Sequence, residues 1–113
     1  MCTVFAAVAA SSYAQELKLE KSVFSPGEQI KVSFTAPDSY PPDAWVGIVP
    51  STVKHNDPIL NDSNQIAFQH LDKKTSGVLV FTAPDKPGKY DFRMSDQDTQ
   101  QAHETASVTF TVQ

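Results

Sequence analysis

The chain of 113 residues holds one cysteine, four glycines and no long apolar run, and each shortage removes a class of protein. Its only cysteine is Cys2, so residues 15–113 can form no disulfide framework and offer no thiolate for a metal or a nucleophile. No stretch approaches the roughly 20 apolar residues that a membrane-crossing helix needs, so membrane insertion of the mature domain is not expected. No ten-residue stretch carries apolar residues at helical spacing, which argues against bundles and α/β folds. Basic residues are outnumbered 9 to 13, for a net charge of −4, with Lys and Asp interspersed. A nucleic-acid surface would need a basic stripe, and none is present. Nucleophile-elbow, phosphate-loop, dinucleotide and helix-turn-helix patterns are also missing. The carboxylate pairs Asp96/Asp98 and Asp38/Asp85 would need a sugar cleft that so short a chain hardly frames. The chain is therefore not expected to be an enzyme.

The first fourteen residues carry no charge, and the small residues Ser12 and Ala14 fit a signal-peptidase site. This pattern predicts a signal peptide over 1–14, truncated where a basic n-region would stand, and an exported domain over 15–113. The expected location is periplasmic or extracellular.

From Glu16 onward the apolar pattern has period two. Leu17 and Leu19 alternate with Glu16, Lys18 and Glu20; Ile30, Val32 and Phe34 alternate with Gln29, Lys31 and Ser33. Such alternation covers a core with one face of a strand and meets water with the other. Ser25-Pro-Gly-Glu28 reads as a turn. Ala44 to Val49 reads as a largely buried strand, and Val78 to Thr82 as another. Residues 51–64 read as a long polar loop, and 66–71 as a short strand or a helical turn. Tyr90, Phe92 and Met94 alternate with Asp91, Arg93 and Ser95, and the last strand places Ala106, Val108, Phe110 and Val112 on one face. About seven short strands separated by turn signals predict an all-β sandwich with antiparallel strands. The expected core includes Phe34, Trp45, Phe81, Tyr90, Phe92 and Phe110.

The pentapeptide Phe-Thr-Ala-Pro-Asp occurs twice, at 34–38 and at 81–85. Each copy closes an alternating strand, because proline has no N–H for the ladder. The residues that follow differ, so the match reads as two strand exits built alike rather than as an internal repeat. The other reading is a pair of binding sites using Asp38 and Asp85.

These features resemble the immunoglobulin-like family. Trp45 matches its third-strand tryptophan, and Asp85-Lys-Pro-Gly88-Lys-Tyr90-Asp-Phe92 approaches its tyrosine-corner pattern. Phe92 stands where that family has a cysteine, and the Asp-to-Gly spacing is one residue longer. Ser25-Pro-Gly-Glu28, Trp45-Val-Gly-Ile48 and Pro87-Gly-Lys-Tyr90 also resemble bacterial secreted and periplasmic modules of this kind. Trp45-Val-Gly-Ile48 is similar, in addition, to the sandwich domain named after the carboxyl region of a skeletal-muscle and kidney inositol phosphatase. The resemblance spans about residues 16–113 and implies an immunoglobulin-like β-sandwich. It implies no activity, because such sandwiches host many unrelated functions.

Several groups remain as candidates for chemistry. Asp96, Asp98 and Glu104 bracket an acidic loop that could supply oxygen ligands to calcium, with His103 beside them. His55, His70 and His103 could meet around zinc or copper with Asp57 or Asp72, and Met94 would be a soft ligand for copper. Tyr40 could stack on a sugar or a partner while Asp43 accepts hydrogen bonds. The leading expectation is a non-catalytic module that recognises a protein or a cell-envelope component through loops or a sheet edge. The alternatives are a small metal-binding domain and a carbohydrate-binding module.

Overall fold

The protein is described by a computed structural model over residues 15–113. The predicted signal peptide and Cys2 lie outside the described residues. Among the described residues, eight strands and one short helix follow in the order β1 (Glu16–Leu19), β2 (Val23–Phe24), β3 (Gln29–Thr35), β4 (Trp45–Pro50), α1 (Pro58–Asn64), β5 (Ala67–His70), β6 (Ser76–Thr82), β7 (Gly88–Ser95) and β8 (Glu104–Val112). They build a three-stranded sheet, β1-β3-β6, and a five-stranded sheet, β2-β8-β7-β4-β5, in a β-sandwich-like arrangement. Two features depart from the expected seven antiparallel strands. A short extra strand, β2, leaves the small sheet's side of the chain and runs parallel to β8, and residues 58–64 are helical rather than loop.

Between the sheets the period-two pattern does what it promises. Ile30, Val32 and Phe34 of β3 are buried, and so are Tyr90, Phe92 and Met94 of β7. Phe92 sits at the centre, with ring centroids 5.1 Å from Phe81 and 4.9 Å from Phe110. At the start of β7 the Tyr90 hydroxyl donates to the Lys86 carbonyl at 2.6 Å, which fixes the strand's entrance. The Ser25–Glu28 turn closes through Glu28 N–H to the Ser25 carbonyl at 3.0 Å, with Gly27 at φ 79° supplying the left-handed position that glycine accepts without cost.

The two pentapeptides end β3 and β6, which are antiparallel neighbours, with Gln29 opposite Thr82 and Thr35 opposite Ser76. They therefore exit at opposite ends of the sheet, and Asp38 and Asp85 are not brought together. Each copy closes the start of the other strand. Ala36 N–H donates to the Thr75 carbonyl just before β6, and Ala83 N–H donates to the Glu28 carbonyl just before β3, both at 2.8 Å. The repetition reflects the local two-fold relation of an antiparallel pair.

Trp45 is buried, as expected of it, but not between the sheets. Val46 and Ile48 face the inter-sheet core, whereas Trp45 and Gly47 point to the outer face of the large sheet. The indole lies over Gly47 so closely that a Cβ there would stand 2.5 Å from the ring and 2.9 Å from the Ala67 carbonyl oxygen, so only glycine fits. Phe68 packs edge-on against the same indole, at 6.3 Å between centroids.

Candidate functional site

The outer face of the large sheet is where the structure departs most from the alternation rule. Asp91, Arg93 and Ser95 should meet water, yet β7 is buried on both faces from Tyr90 to Ser95. The polar segment 51–64 folds back over that face, and what it buries is charge. The Arg93 guanidinium is fully inaccessible. Its Nε and Nη2 donate to Asp91 Oδ2 at 3.0 and 2.8 Å. Nη1 donates to Asn61 Oδ1 at 2.7 Å and to the Lys54 carbonyl at 3.4 Å, and Nη2 donates to the Val53 carbonyl at 2.7 Å. Every donor of the fork is used, as a buried cation requires.

The helix that takes part is built to deliver Asn61. Asp57 caps it by accepting from Leu60 N–H at 3.0 Å, and Pro58 starts it without a surplus N–H. Its buried residue is Asn61, while Ile59 and Leu60 stay exposed. A helix that buries an amide has no apolar stripe to announce it.

Glu104 completes the network from β8. It accepts from Asn56 N–H at 2.9 Å, from the Asn61 amide at 3.2 Å and from His55 Nδ1 at 2.5 Å, and Arg93 Nη1 lies 3.8 Å away. Asn56 answers by accepting Glu104 N–H at 3.2 Å, from a left-handed φ of 60° that asparagine tolerates. His55 Nε2 reaches Asp91 at 3.5 Å, and Thr109 donates to the other Asp91 oxygen at 2.7 Å. Burial alone would raise the Glu104 carboxyl, but the Asn56, His55 and Asn61 hydrogen bonds and the Arg93 charge outweigh it and hold it below its ordinary 4.5. A depressed carboxyl stabilises the fold above its unfolded pKa, and that contribution is lost as pH falls through the folded value. Lowering the pH from about 5 to about 3 is therefore expected to loosen the 51–64 cover. In a urea-melt series over that range Glu104→Gln should show a flatter stability profile than the wild type; an unchanged acid limb would contradict the assignment.

The predicted calcium set is taken apart by these contacts. Glu104 serves the network, Asp96 accepts from His103 N–H at 2.8 Å and faces its ring at 3.2 Å, and Asp98 lies 3.8 Å from His70. The three histidines thus attend three different carboxylate sites. Among the described residues no three His, Cys, Asp or Glu side chains are arranged to hold a metal. Met94 is buried in the inter-sheet core. Asp43 accepts from Asp98 N–H at 3.1 Å and so ties the β7–β8 loop down. Tyr40 is half-buried against the core rather than presented to solvent, its hydroxyl pushed above its ordinary value chiefly by burial. Lys73 fastens that segment through the Asp38 and Tyr40 carbonyls, at 2.9 and 2.8 Å.

Among the described residues, two open surfaces bear on binding. One is a cleft of about 240 Å³ between α1 and the β7–β8 loop, with Trp45 in its wall. The other is the side of the molecule where the edge strands β5 and β6 approach each other, joined by Gln69 Nε2 donating to the Val80 carbonyl at 2.6 Å. Ile66, Phe68, Val78 and Val80 on this side are 51, 44, 58 and 44% exposed. At one end Ile66 also lines an open, mostly apolar hollow with Pro50, Pro84 and Pro87.

No protein-family model matches the chain, and no curated protein matches it. Among the described residues no helix is long and apolar enough to cross a membrane.

Proposed function

We propose that the chain is an exported, immunoglobulin-like, non-catalytic module that docks a protein partner along its β5/β6 side. The observation that carries this reading is the exposure of Val78 and Val80 on β6 and of Phe68 on β5, the edge strands of their sheets, with Ile66 just before β5. Scattered single apolar residues need no explanation, but Phe68 on the outer face of the large sheet and Val78 and Val80 on that of the small sheet flank the two neighbouring edges, which a partner gripping this side would cover. Lys31 stands beside Val80 in the sheet, and Lys86 and Lys89 line the hollow, with Asp85 the acidic residue among them. In a protein of net charge −4 this basic rim favours a partner with an apolar segment flanked by carboxylates. The immunoglobulin-like reading is supported by the passage of the chain from β1 in the small sheet to β2, which runs parallel to β8 in the large one, and by the Tyr90 hydroxyl bond to Lys86. Export rests on the Met1–Ala14 composition.

Val80→Lys changes an exposed position and should alter stability by no more than about 0.5 kcal/mol, whereas Phe68→Lys also gives up the edge-on contact with Trp45, worth about 0.5–1.5 kcal/mol. Each is expected to weaken binding to a protein retained from the cell envelope, then purified and titrated, by at least about tenfold, or about 1.4 kcal/mol. Equal affinity for wild type and both variants would overturn the assignment, and so would retention of anionic vesicles in place of a protein.

A further inference from the structure

Among the described residues the four sheet edges differ in how well they are guarded. In the small sheet β1 is four residues long and carries Glu16 and Lys18; in the large sheet β2 and β5 are two and four residues long. Short or charged edges resist pairing with another chain. Strand β6 has neither safeguard, since Ser76-Gly-Val-Leu-Val-Phe-Thr82 is seven residues without a charge or a proline. The bonds at the two ends of the β3–β6 ladder show which of its backbone groups are open. Ala83 N–H donates to the Glu28 carbonyl at one end, and the Thr75 carbonyl accepts from Ala36 N–H at the other. In an antiparallel pair such bonds fall on alternate residues, so Gly77, Leu79 and Phe81 turn their N–H and C=O toward β3. Ser76, Val78, Val80 and Thr82 turn theirs away from it. Gln69 of β5, donating to the Val80 carbonyl from outside the sheet, agrees with this alternation. It makes the only hydrogen bond to an outward backbone group of β6 among the described residues. The same alternate residues put their side chains on the outer face, where Val78 and Val80 are exposed and Lys31 stands beside Val80.

A strand laid against β6 thus meets open backbone and exposed valine at the same positions. Within the docking reading above, on which this rests, we infer that the partner contributes an extended segment that adds to β6 as a further strand, apolar at alternate positions and flanked by carboxylates. Its apolar residues pair with the open groups of Val78 and Val80 and lie beside their side chains on the outer face. The residues between them face the β5 side, where the Gln69 amide offers a polar partner. The carboxylates answer Lys31 beside the strand and Lys74 at its entrance, both exposed.

The probe is the peptide Asp-Val-Thr-Val-Thr-Val-Asp, acetylated and amidated, titrated into the purified protein and followed by amide exchange in NMR spectra. Before the peptide is added, the Val78 and Val80 amides should exchange at least about tenfold faster than those of Leu79 and Phe81. The peptide is expected to bind with a dissociation constant of about 1 mM or below and to slow exchange at Val78 and Val80. N-methylation of its valines keeps the apolar groups but removes the donors, and should weaken binding about tenfold or more. Val78→Pro should do the same, because the N–H it removes is not used by β3 and proline is tolerated at such edge positions. Val78→Thr, which keeps the N–H and the branched shape, should bind within about threefold of wild type. A thermal melt checks that the proline variant folds, and the methylated peptide tests the same bonds with the protein unchanged. Val78 and Val80 amides as protected as Leu79 in the free protein, no saturable binding, equal binding of the methylated peptide, or a dimer through β6 in place of peptide binding would overturn the inference. If the peptide fails while the envelope partner still responds to Val80→Lys, strand addition falls and the docking reading stands. If the peptide pairs and no envelope partner is retained, strand pairing stands and the docking reading falls.

Discussion

Arg93→Met should lower the stability of the domain by about 3–5 kcal/mol, because it leaves Asp91 and Glu104 in a buried site without their cation. A domain of this size is stable by only about 5–15 kcal/mol, so the loss is a large share of the whole. Methionine reaches only about as far as the start of the guanidinium, so the effect combines the lost charge and hydrogen bonds with the space the guanidinium filled. Its character should also differ from an ordinary core defect. Arg93 holds the Val53 and Lys54 carbonyls and Asn61, all in the cover over the outer face. Trp45 lies under that cover, so its fluorescence should change at lower urea than the far-UV signal of the sheets. Coincident transitions with stability within about 1 kcal/mol of wild type would show that the network is not what holds the cover, since breaking a buried pair costs several times that. A cycle with Asp91→Asn gives the coupling directly: the double variant should lose less than the sum of the two singles.

Phe92→Ala should cost about 3–5 kcal/mol by a different route, a cavity between the sheets that the neighbours cannot close. Phe92 is fully buried, with Phe81 and Phe110 against its two sides. Here fluorescence and far-UV transitions should move together, because the lost contacts join the two sheets. Phe92→Leu, which fills most of the volume, should recover more than half of the loss. A Phe92→Ala protein as stable as Phe92→Leu would mean that the core can collapse around the gap.

The contrast between these residues also shows what the sequence can reveal. Ile30, Val32 and Phe34 are legible because one face of β3 meets water and the other meets the core, and the pleat converts that into alternation. Strand β7 obeys the same period, but Asp91, Arg93 and Ser95 are as buried as Tyr90, Phe92 and Met94. What buries them is a segment some forty residues away, and its grip is polar. No local pattern distinguishes a solvated Asp-x-Arg from one that closes on itself, since the difference lies in Asn61, Glu104 and two backbone carbonyls. Helix α1 carried one legible signal, Asp57-Pro58, a cap followed by a first-turn proline. It reads as a turn because Ile59 and Leu60 face outward and the buried position is an asparagine. For Trp45 the apolar neighbours on both sides correctly indicate burial, but a strand buried on both faces leaves the choice of face to the tertiary fold. The histidines were visible individually, and only the fold assigns them to separate carboxylates.

The docking proposal is tested most directly by site-specific photocross-linking of the full chain in its own cells. A photoreactive residue placed at Phe68 or at Val80 should give an adduct with the same protein from both positions. One placed at Val23, exposed on β2 at the opposite edge of the large sheet from β5, should not. Adding Val78→Lys should abolish the adducts. The absence of any protein adduct from positions 68 and 80, or an identical set of adducts from position 23, would contradict the account.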